Sequence, residues 1–172
     1  MRIRAVLDEL GIAGESVALR ALPLQAEAQE LELVQAGDDQ RLHYLLPAAA
    51  RAWRELHDAA GADAIALSVV SAYRSLEKQA DIVRAKLVKG VALDEIFAAS
   101  APPGYSEHHT GRAIDVGTPG VPELEPGFEE TGAFHWLTAN AAHFGFVMSY
   151  PRGNPHGFIY EPWHWCYRRG AA

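Results

Sequence analysis

The chain has 172 residues, of which 49% are hydrophobic and 22% are charged, and its formal net charge at pH 7 is −7. This composition predicts one compact domain with a hydrophobic core and is not typical of a disordered chain. The acidic balance argues against a nucleic-acid-binding surface or a polybasic membrane anchor, because both need clustered lysine and arginine. The single cysteine, Cys166, excludes an intramolecular disulfide and a cysteine-rich zinc site, so any metal must bind to histidines and carboxylates.

The N-terminal segment MRIRAVLDELGIAGES predicts a helix rather than a signal peptide, because Asp8 and Glu9 interrupt its apolar run. No stretch of about 18 apolar residues occurs, so we expect no membrane span. The prediction is therefore a cytoplasmic protein, or a periplasmic or cell-envelope protein if a leader was removed.

The remaining sequence alternates predicted helices with short predicted strands. In chain order these are a helix from Pro47 to Gly61, a strand over 65–74, a helix capped by Ser75 and ending at Gly90, a short helix over 92–99, a strand in RAIDV, a surface loop over 117–130, a helix capped by Thr131 and ending at Gly145, and strands in FVMSYP and WHWCYRR. Hairpin-like connections late in the chain favour antiparallel pairing. We predict an α+β fold, a single domain over 1–172 with a small antiparallel sheet flanked by helices. In this prediction, residues 1–40 are an N-terminal extension packed on a motif core at about 47–170.

The segment YSEHHTGRAID, residues 105–115, concentrates side chains that bind metals. His108 and Asp115 lie on either side of Gly111, and a tight turn there would let their side chains converge on one ion. A catalytic zinc site uses three protein ligands and keeps an open position for water. His164 is the strongest candidate for the third ligand because Glu161 precedes it by three residues, which pairs a ligand with a base. A bend at Pro162 would let both face the same metal.

The segments SAYRS, SEHHTGRAID and EPWHW, in this order and spacing, resemble the VanY-type zinc D-alanyl-D-alanine carboxypeptidases and the related LD-carboxypeptidases. The resemblance covers the last two thirds of the chain and implies the hedgehog/DD-peptidase fold. It implies one zinc ion held by His108, Asp115 and His164, with Glu161 as the general base. It further implies Arg74 as the cation near the scissile carbonyl, and it assigns Ser106, Gln79 and Tyr73 to substrate binding.

The expected activity is release of the C-terminal D-alanine from a peptidoglycan-derived stem peptide by a monomeric enzyme. The sequence does not distinguish D,D from L,D cleavage, because that choice depends on the shape of the pocket. The absence of an export signal favours recycling of cell-wall peptides, in which L,D cleavage of tetrapeptides is the expected task. The alternatives are a lysin-like endopeptidase that cuts inside the stem peptide and a non-catalytic, hedgehog-like zinc-binding module. A purely structural zinc site is disfavoured because only three ligands are evident.

Several residues have more than one interpretation. His109 is either a support for the ligands or only the solvent-exposed neighbour of His108, and Arg74 could instead pair with Glu77. Cys166 departs from the family pattern, which usually has arginine two residues after the last ligand. Arg168 or Arg169 could replace that arginine in holding the substrate carboxylate. The residues for which we predict no role in the site are His43, His57, His135, His143 and His156, and Trp163 and Trp165 are expected to pack in the core.

Overall fold

The computed structural model describes residues 2–18, 20–36 and 41–170. The helices are α1 (Arg2–Glu9), α2 (Gly14–Ala18), α3 (Pro47–Ala62), α4 (Leu76–Val88), α5 (Leu93–Ala99) and α6 (Gly132–Asn140). The strands are β1 (Glu32–Ala36), β2 (Leu42–Leu45), β3 (Ser68–Ser71), β4 (Ala113–Gly117), β5 (Phe146–Met148) and β6 (His164–Tyr167). Short 3-10 helices cover Glu107–Thr110, Pro126–Glu130 and Ala141–Phe144. Within the described ranges, no helix combines the length and the apolar character that crossing a membrane requires.

The main sheet has four antiparallel strands in the order β3-β4-β6-β5, and β1 pairs with β2 in a separate antiparallel hairpin. The predicted α+β fold with a small antiparallel sheet is therefore confirmed. In the central pair, Asp115 of β4 lies directly opposite His164 of β6. This register places two of the predicted metal ligands side by side, because cross-strand partners on one face are close neighbours.

The core lies between α3 and one face of this sheet. Trp53 and Leu56 of α3 pack with Ile114 and Val116 of β4 and with Trp165 of β6, and all five side chains are buried. Because successive strand residues point to opposite faces, burial of Ile114 and Val116 against α3 directs Asp115 to the other face. The hydrophobic core therefore fixes the strands that carry the site.

Helix α3 ends later than the sequence predicts. Gly61 was expected to end it, but the helix continues to Ala62, and Ala64 adopts the left-handed conformation with φ of 59°. The amide of Ala64 donates to the carbonyl of Gly61, and the amide of Ile65 donates to that of Ala60. This pair of bonds is the Schellman arrangement, with alanine in the position that glycine usually occupies.

Strand β3 is shorter than the predicted strand over 65–74, because the chain leaves the sheet after Ser71. The amide of Tyr73 donates to the carbonyl of Tyr44, and the amide of Arg74 donates to the carbonyl of His108 at 3.1 Å. The backbone of Arg74 is thereby attached to the segment that carries the first predicted ligand. Helix α4 then begins as predicted, with the Ser75 hydroxyl accepting from the amide of Lys78.

A second apolar cluster joins the N-terminal segment to helices α4 and α5. Its buried members are Leu7, Leu10, Ile12, Val17, Ala80, Val83, Ile96 and Phe97. Later in the chain, α6 is capped by Thr131 and continues as a 3-10 helix to Gly145, whose φ of 86° ends it as predicted. Strands β5 and β6 are also confined to the central parts of the segments FVMSYP and WHWCYRR.

Candidate active site

Three buried side chains converge on one point of the sheet face opposite α3. His108 lies on the 3-10 helix Glu107–Thr110, Asp115 on β4 and His164 at the start of β6, and their potential ligand atoms all lie within 4.8 Å of one another. Gly111 makes the turn between the first two, with φ of 63°. A Cβ atom at Gly111 would lie 2.9 Å from the backbone nitrogen of Leu46, so glycine is required there for space as well as for conformation.

Hydrogen bonds hold both imidazole rings in defined orientations. His108 donates from Nδ1 to the carbonyl of Ala72 at 2.7 Å, which leaves Nε2 facing Asp115 Oδ2 at 3.2 Å. His164 donates from Nε2 to Glu107 Oε2 at 3.1 Å, which leaves Nδ1 facing Asp115 Oδ1 at 2.9 Å. The carbonyl of Ala72 fixes the tautomer of His108, whereas both nitrogens of His164 face carboxylates, so His164 Nδ1 becomes available to a metal when its proton is displaced. Each ring therefore presents one nitrogen to the shared space between the three side chains.

Glu107 is a site residue to which the sequence analysis gave no role. Its buried carboxylate accepts from His164, from the Ser149 hydroxyl at 2.6 Å and from the Arg168 guanidinium. Burial alone would raise the pKa of Glu107, but the bonds from His164 and Ser149 and the charge of Arg168 hold it well below its ordinary value. An ionised carboxylate behind a histidine is the usual support for a metal ligand. Its position next to His108 in the sequence was the available signal.

The electrostatics of the cluster favour a bound cation. Burial alone would lower the pKa of His164, but its hydrogen bonds to Asp115 and Glu107 raise it to about 10. Burial would raise the pKa of Asp115, but His108 and His164 hold it well below its ordinary value. Two carboxylates thus stabilise positive charge on His164, and a metal ion can supply that charge in place of a proton. Two imidazole nitrogens and a carboxylate oxygen are a donor set that suits catalytic zinc.

Glu161 lies beside this cluster at the start of a turn. Residues 161–163 lie outside β6, and the amide of His164 donates to the carbonyl of Glu161, so both side chains reach the same space. Glu161 Oε2 is 3.9 Å from His164 Nδ1. Burial raises the pKa of Glu161 to about 7, and a cation in the cluster would lower it again. A carboxyl group with a pKa in this range can accept a proton and return it near neutral pH.

Arg74 is fixed against the same cluster by two side-chain hydrogen bonds. Its guanidinium donates to Ser71 Oγ and to Gln79 Oε1, each at 2.9 Å, and lies 4.0 Å from Asp115 Oδ2. Arg74 does not pair with Glu77, which instead forms an ion pair with Arg2. The Arg74 side chain is 20% exposed and lines the cavity described below. It is therefore a rigid cation at the edge of the site.

His109, which had two possible interpretations, is fully buried and belongs to the support of the site. Its Nδ1 donates to the carbonyl of Arg74 at 2.6 Å, and its Nε2 accepts from the amide of Gly104 at 3.1 Å. Together with the bond from the amide of Arg74 to the carbonyl of His108, this fixes the Arg74 backbone on both sides. The interpretation of His109 as a solvent-exposed neighbour is wrong.

Of the three residues assigned to substrate binding, only Ser106 lines the cavity. Gln79 is fully buried. Its Oε1 accepts from Arg74, and its Nε2 donates to the carbonyl of Ala101 at 2.7 Å, so Gln79 lies behind the arginine. Tyr73 donates to Glu27 Oε1 at 3.3 Å, because the chain turns away from the sheet after β3. The structure therefore places Gln79 and Tyr73 as supporting residues rather than as cavity walls.

A cavity of about 380 Å³ opens in front of the cluster. Beyond Arg74, Ser106, Glu161 and the three convergent side chains, its walls are formed by Ile82, Lys86, Ala99, Ser100, Ala101, Leu124, Tyr150, Phe158, Ile159 and Trp163. Tyr150, which the sequence analysis did not identify, is buried with its ring centroid 4.7 Å from that of His164. Trp163 is buried as expected but also forms part of this wall. The cavity therefore combines a polar end at the cluster with largely apolar sides.

The remaining sequence candidates lie outside the cavity. Burial raises the pKa of the Cys166 thiol to about 12, and among the described residues Cys166 is not a member of the convergent cluster. Arg168 is bound to Glu107, and Arg169 donates to the carbonyl of His143, so neither occupies the cavity as a replacement for the missing arginine. The five histidines given no role, His43, His57, His135, His143 and His156, do not line the cavity either.

The fold and the cluster define a class, the VanY and LdcB type of α+β domain. The structure of the LdcB LD-carboxypeptidase matches with a TM-score of 0.66 and 32% identity, covering 84% of this chain and 65% of that one. A vancomycin-resistance D,D-pentapeptidase VanY in complex with Zn(II) matches with a TM-score of 0.64 and 30% identity, covering 85% and 82%. A model of the VanY family, described as D-alanyl-D-alanine carboxypeptidase, matches residues 42–170.

The chain belongs to the VanY family. The D-alanyl-D-alanine carboxypeptidase of Enterococcus faecalis is 35% identical over an alignment of 126 residues that covers 66% of this chain. The chain spans 44% of the length of that relative and 46% of the length of the putative carboxypeptidase YodJ of Bacillus subtilis.

Proposed function

We propose that this chain is a zinc carboxypeptidase that releases the C-terminal D-alanine from peptidoglycan stem peptides. The observation that carries the proposal is the convergence of His108, Asp115 and His164 within 4.8 Å of one another, next to Glu161, at the polar end of a cavity. Its family relatives include proteins named as D-alanyl-D-alanine and LD-carboxypeptidases, which supports a terminal D-alanine as the leaving group.

In this proposal, one zinc ion is bound by His108 Nε2, an Asp115 oxygen and His164 Nδ1. These atoms are the ones that the hydrogen bonds to Ala72 and Glu107 leave available. A bound zinc ion supplies a Lewis acid that polarises a carbonyl group and lowers the pKa of water from about 16 to about 7. Three protein ligands leave the open coordination position that a catalytic site needs.

Glu161 carries the proton in the proposed reaction. Its carboxylate takes a proton from the attacking water and returns it to the amine of the departing D-alanine, which completes one turn of general base and general acid catalysis. Its burial keeps bulk water away from the transferred proton. Its closeness to His164 keeps it within reach of the reacting atoms.

Arg74 stabilises the charge that develops on the scissile carbonyl oxygen. Its guanidinium is already held by Ser71 and Gln79, so it requires no reorganisation when that charge appears. A fixed donor of this kind contributes on the order of 3 kcal/mol to transition-state stabilisation. Ser106 lines the same cavity, and we assign its hydroxyl to substrate binding.

The test is to incubate the purified zinc-loaded protein separately with tetrapeptide and pentapeptide stems and to identify the products by mass and chirality. We expect release of a single D-alanine, and the peptide that releases it decides between L,D and D,D cleavage. The Glu161→Gln variant should keep its zinc and lose most turnover, because the amide preserves shape but cannot accept the proton.

Three outcomes would contradict the proposal. Cleavage inside the stem peptide would indicate an endopeptidase. Stoichiometric zinc binding without any hydrolysis would indicate a non-catalytic zinc-binding module. A Glu161→Gln variant with near wild-type turnover would remove Glu161 from its assigned role.

A further inference from the structure

Helix α4 contributes a lysine, Lys86, to the cavity wall. Ile82 and Lys86 are four residues apart on α4, so they share one face of the helix, and both line the cavity. Lys86 Nζ donates to the Ser100 hydroxyl at 2.7 Å, and Ser100 also lines the cavity just after α5. The ammonium group is therefore held at a defined place in the wall.

Within the part of the chain that the structure describes, Lys86 forms no ion pair with a carboxylate, and its described side-chain partner is the neutral Ser100. The acidic side chains that line the cavity, Asp115 and Glu161, lie at the convergent cluster. Burial lowers the pKa of Lys86, the charge of Arg74 lowers it further, and the more distant charge of Glu161 opposes both effects. A half-buried ammonium whose hydrogen-bond partner is a neutral hydroxyl is costly, and an anionic ligand in direct contact would offset that cost.

The two cavity cations differ in what surrounds them. Arg74 is occupied by Ser71 and Gln79 and sits 4.0 Å from Asp115, which suits a group acting on the scissile carbonyl. Lys86 lies farther along α4, one turn from Ile82 and bonded to Ser100, and the apolar side chains of Ala99 and Ile159 also line the cavity. A carboxylate that enters this largely apolar part of the cavity meets Lys86 as its available cation.

We propose that Lys86, oriented by Ser100, forms a subsite that binds a carboxylate of the peptide substrate. This inference rests on the proposed peptidase function. Every carboxypeptidase substrate ends in a free carboxylate, and a peptide can carry a second carboxylate on a side chain. Both groups have the same chemistry, and the experiment separates them.

The test measures peptide binding by calorimetry in the zinc-loaded Glu161→Gln protein, with and without Lys86→Met. Three peptides are compared: a stem peptide with its carboxylates free, the same peptide as its C-terminal amide, and the same peptide with its side-chain carboxylates amidated. We expect Lys86→Met to weaken binding of the free-acid peptide by about tenfold or more, because a hydrogen bond to a charged group is lost. Lys86→Arg should restore part of the affinity because it keeps the charge.

The source of the carboxylate follows from the amides. If Lys86 binds the C-terminal carboxylate, Lys86→Met should not change the affinity for the peptide with a C-terminal amide. If Lys86 binds a side-chain carboxylate, Lys86→Met should not change the affinity for the peptide with amidated side chains. The control is Lys78→Met, which removes the same charge from the exposed side of α4, outside the cavity. The subsite is refuted if the Lys86→Met and Lys78→Met variants bind the free-acid peptide with equal affinity. It is also refuted if Lys86→Met lowers the affinity for all three peptides equally.

Turnover of the wild-type protein is measured separately, so the two proposals can fail independently. A wild-type protein that hydrolyses stem peptides while Lys86→Met keeps wild-type KM and binding would overturn the subsite alone. A wild-type protein without turnover whose Lys86→Met variant still loses carboxylate binding would overturn the peptidase function alone.

Discussion

The carboxylate of Glu107 provides the sharpest test of how the site is held. Among the described residues it has three hydrogen-bond donors, which are His164 Nε2, the Ser149 hydroxyl and the Arg168 guanidinium. In Glu107→Gln, one amide oxygen must serve these donors, and the new NH2 group is itself a donor that faces at least one of them. His164 thereby loses its anionic partner, which makes its other nitrogen a weaker metal ligand.

We expect Glu107→Gln to reduce zinc affinity by about 10-fold to 100-fold, the usual loss for a residue that orients a metal ligand. This corresponds to about 1.4 to 2.8 kcal/mol of binding free energy. The free energy of unfolding should also decrease, by on the order of 1 to 3 kcal/mol, because buried donors are left poorly paired. The folded-state pKa of Glu107 is depressed, so its stabilising contribution is present above the unfolded-state pKa near 4.3 and is lost as pH falls.

The assay is competition for zinc with a chelator at constant pH, together with urea unfolding of the metal-free protein. The matched control is Glu129→Gln, which removes the same charge from a surface ion pair with Arg152 outside the cavity. If Glu107→Gln bound zinc within twofold of Glu129→Gln, the argument that Glu107 supports the metal ligand His164 would be refuted.

Two further predictions concern the reaction. Arg74→Ala should lower kcat and kcat/KM together by about 100-fold, with little rescue by lysine, in steady-state kinetics on stem peptides. It should also cost on the order of 1 to 3 kcal/mol of folding stability, because the buried Gln79 loses a donor, and a rise in KM alone would instead assign Arg74 to substrate binding. Because Glu161 must be ionised to accept a proton and a bound cation lowers its pKa of about 7, kcat/KM should rise with pH along an acidic limb below about 7. A profile with no acidic limb over the whole pH range in which zinc stays bound would contradict this assignment.

The convergence of the cluster could be predicted because its determinants are local in sequence. Gly111 permits the turn that brings His108 back onto β4, and Asp115 follows at the strand position that points away from the core. His164 required a long-range contact, and the sequence pointed to it only through Glu161 three residues earlier and through the resemblance of EPWHW; the pairing of β4 with β6 that brings it to Asp115 is seen in the structure. The same reasoning placed Glu161 beside it through the bend at Pro162.

The rest of the site depends on contacts that no local pattern encodes. Tyr150 meets His164 because the chain passes the cavity between β5 and the turn before β6, and its sequence neighbours give no sign of this. The resemblance assigned Gln79 and Tyr73 to substrate binding, but motif spacing does not say which way their side chains point. Once the backbone leaves the sheet after Ser71, Tyr73 turns toward Glu27, and Gln79 of α4 lies behind Arg74. The direction of a side chain near a strand end thus depends on where the strand ends.

The N-terminal segment contributes to the site although it precedes the range 42–170 that the family model matches. The amide of Gln25 donates to the carbonyl of Gly104 and that of Ala28 to the carbonyl of His109, each at 2.8 Å. These bonds hold the chain before His108 at Gly104 and directly after it at His109, while the amide of Arg74 holds the carbonyl of His108 itself. A four-residue 3-10 helix has too few internal hydrogen bonds to fix a side chain by itself. The geometry at His108 is therefore set by backbone contacts from both flanks, and one of those flanks lies outside the recognised motifs.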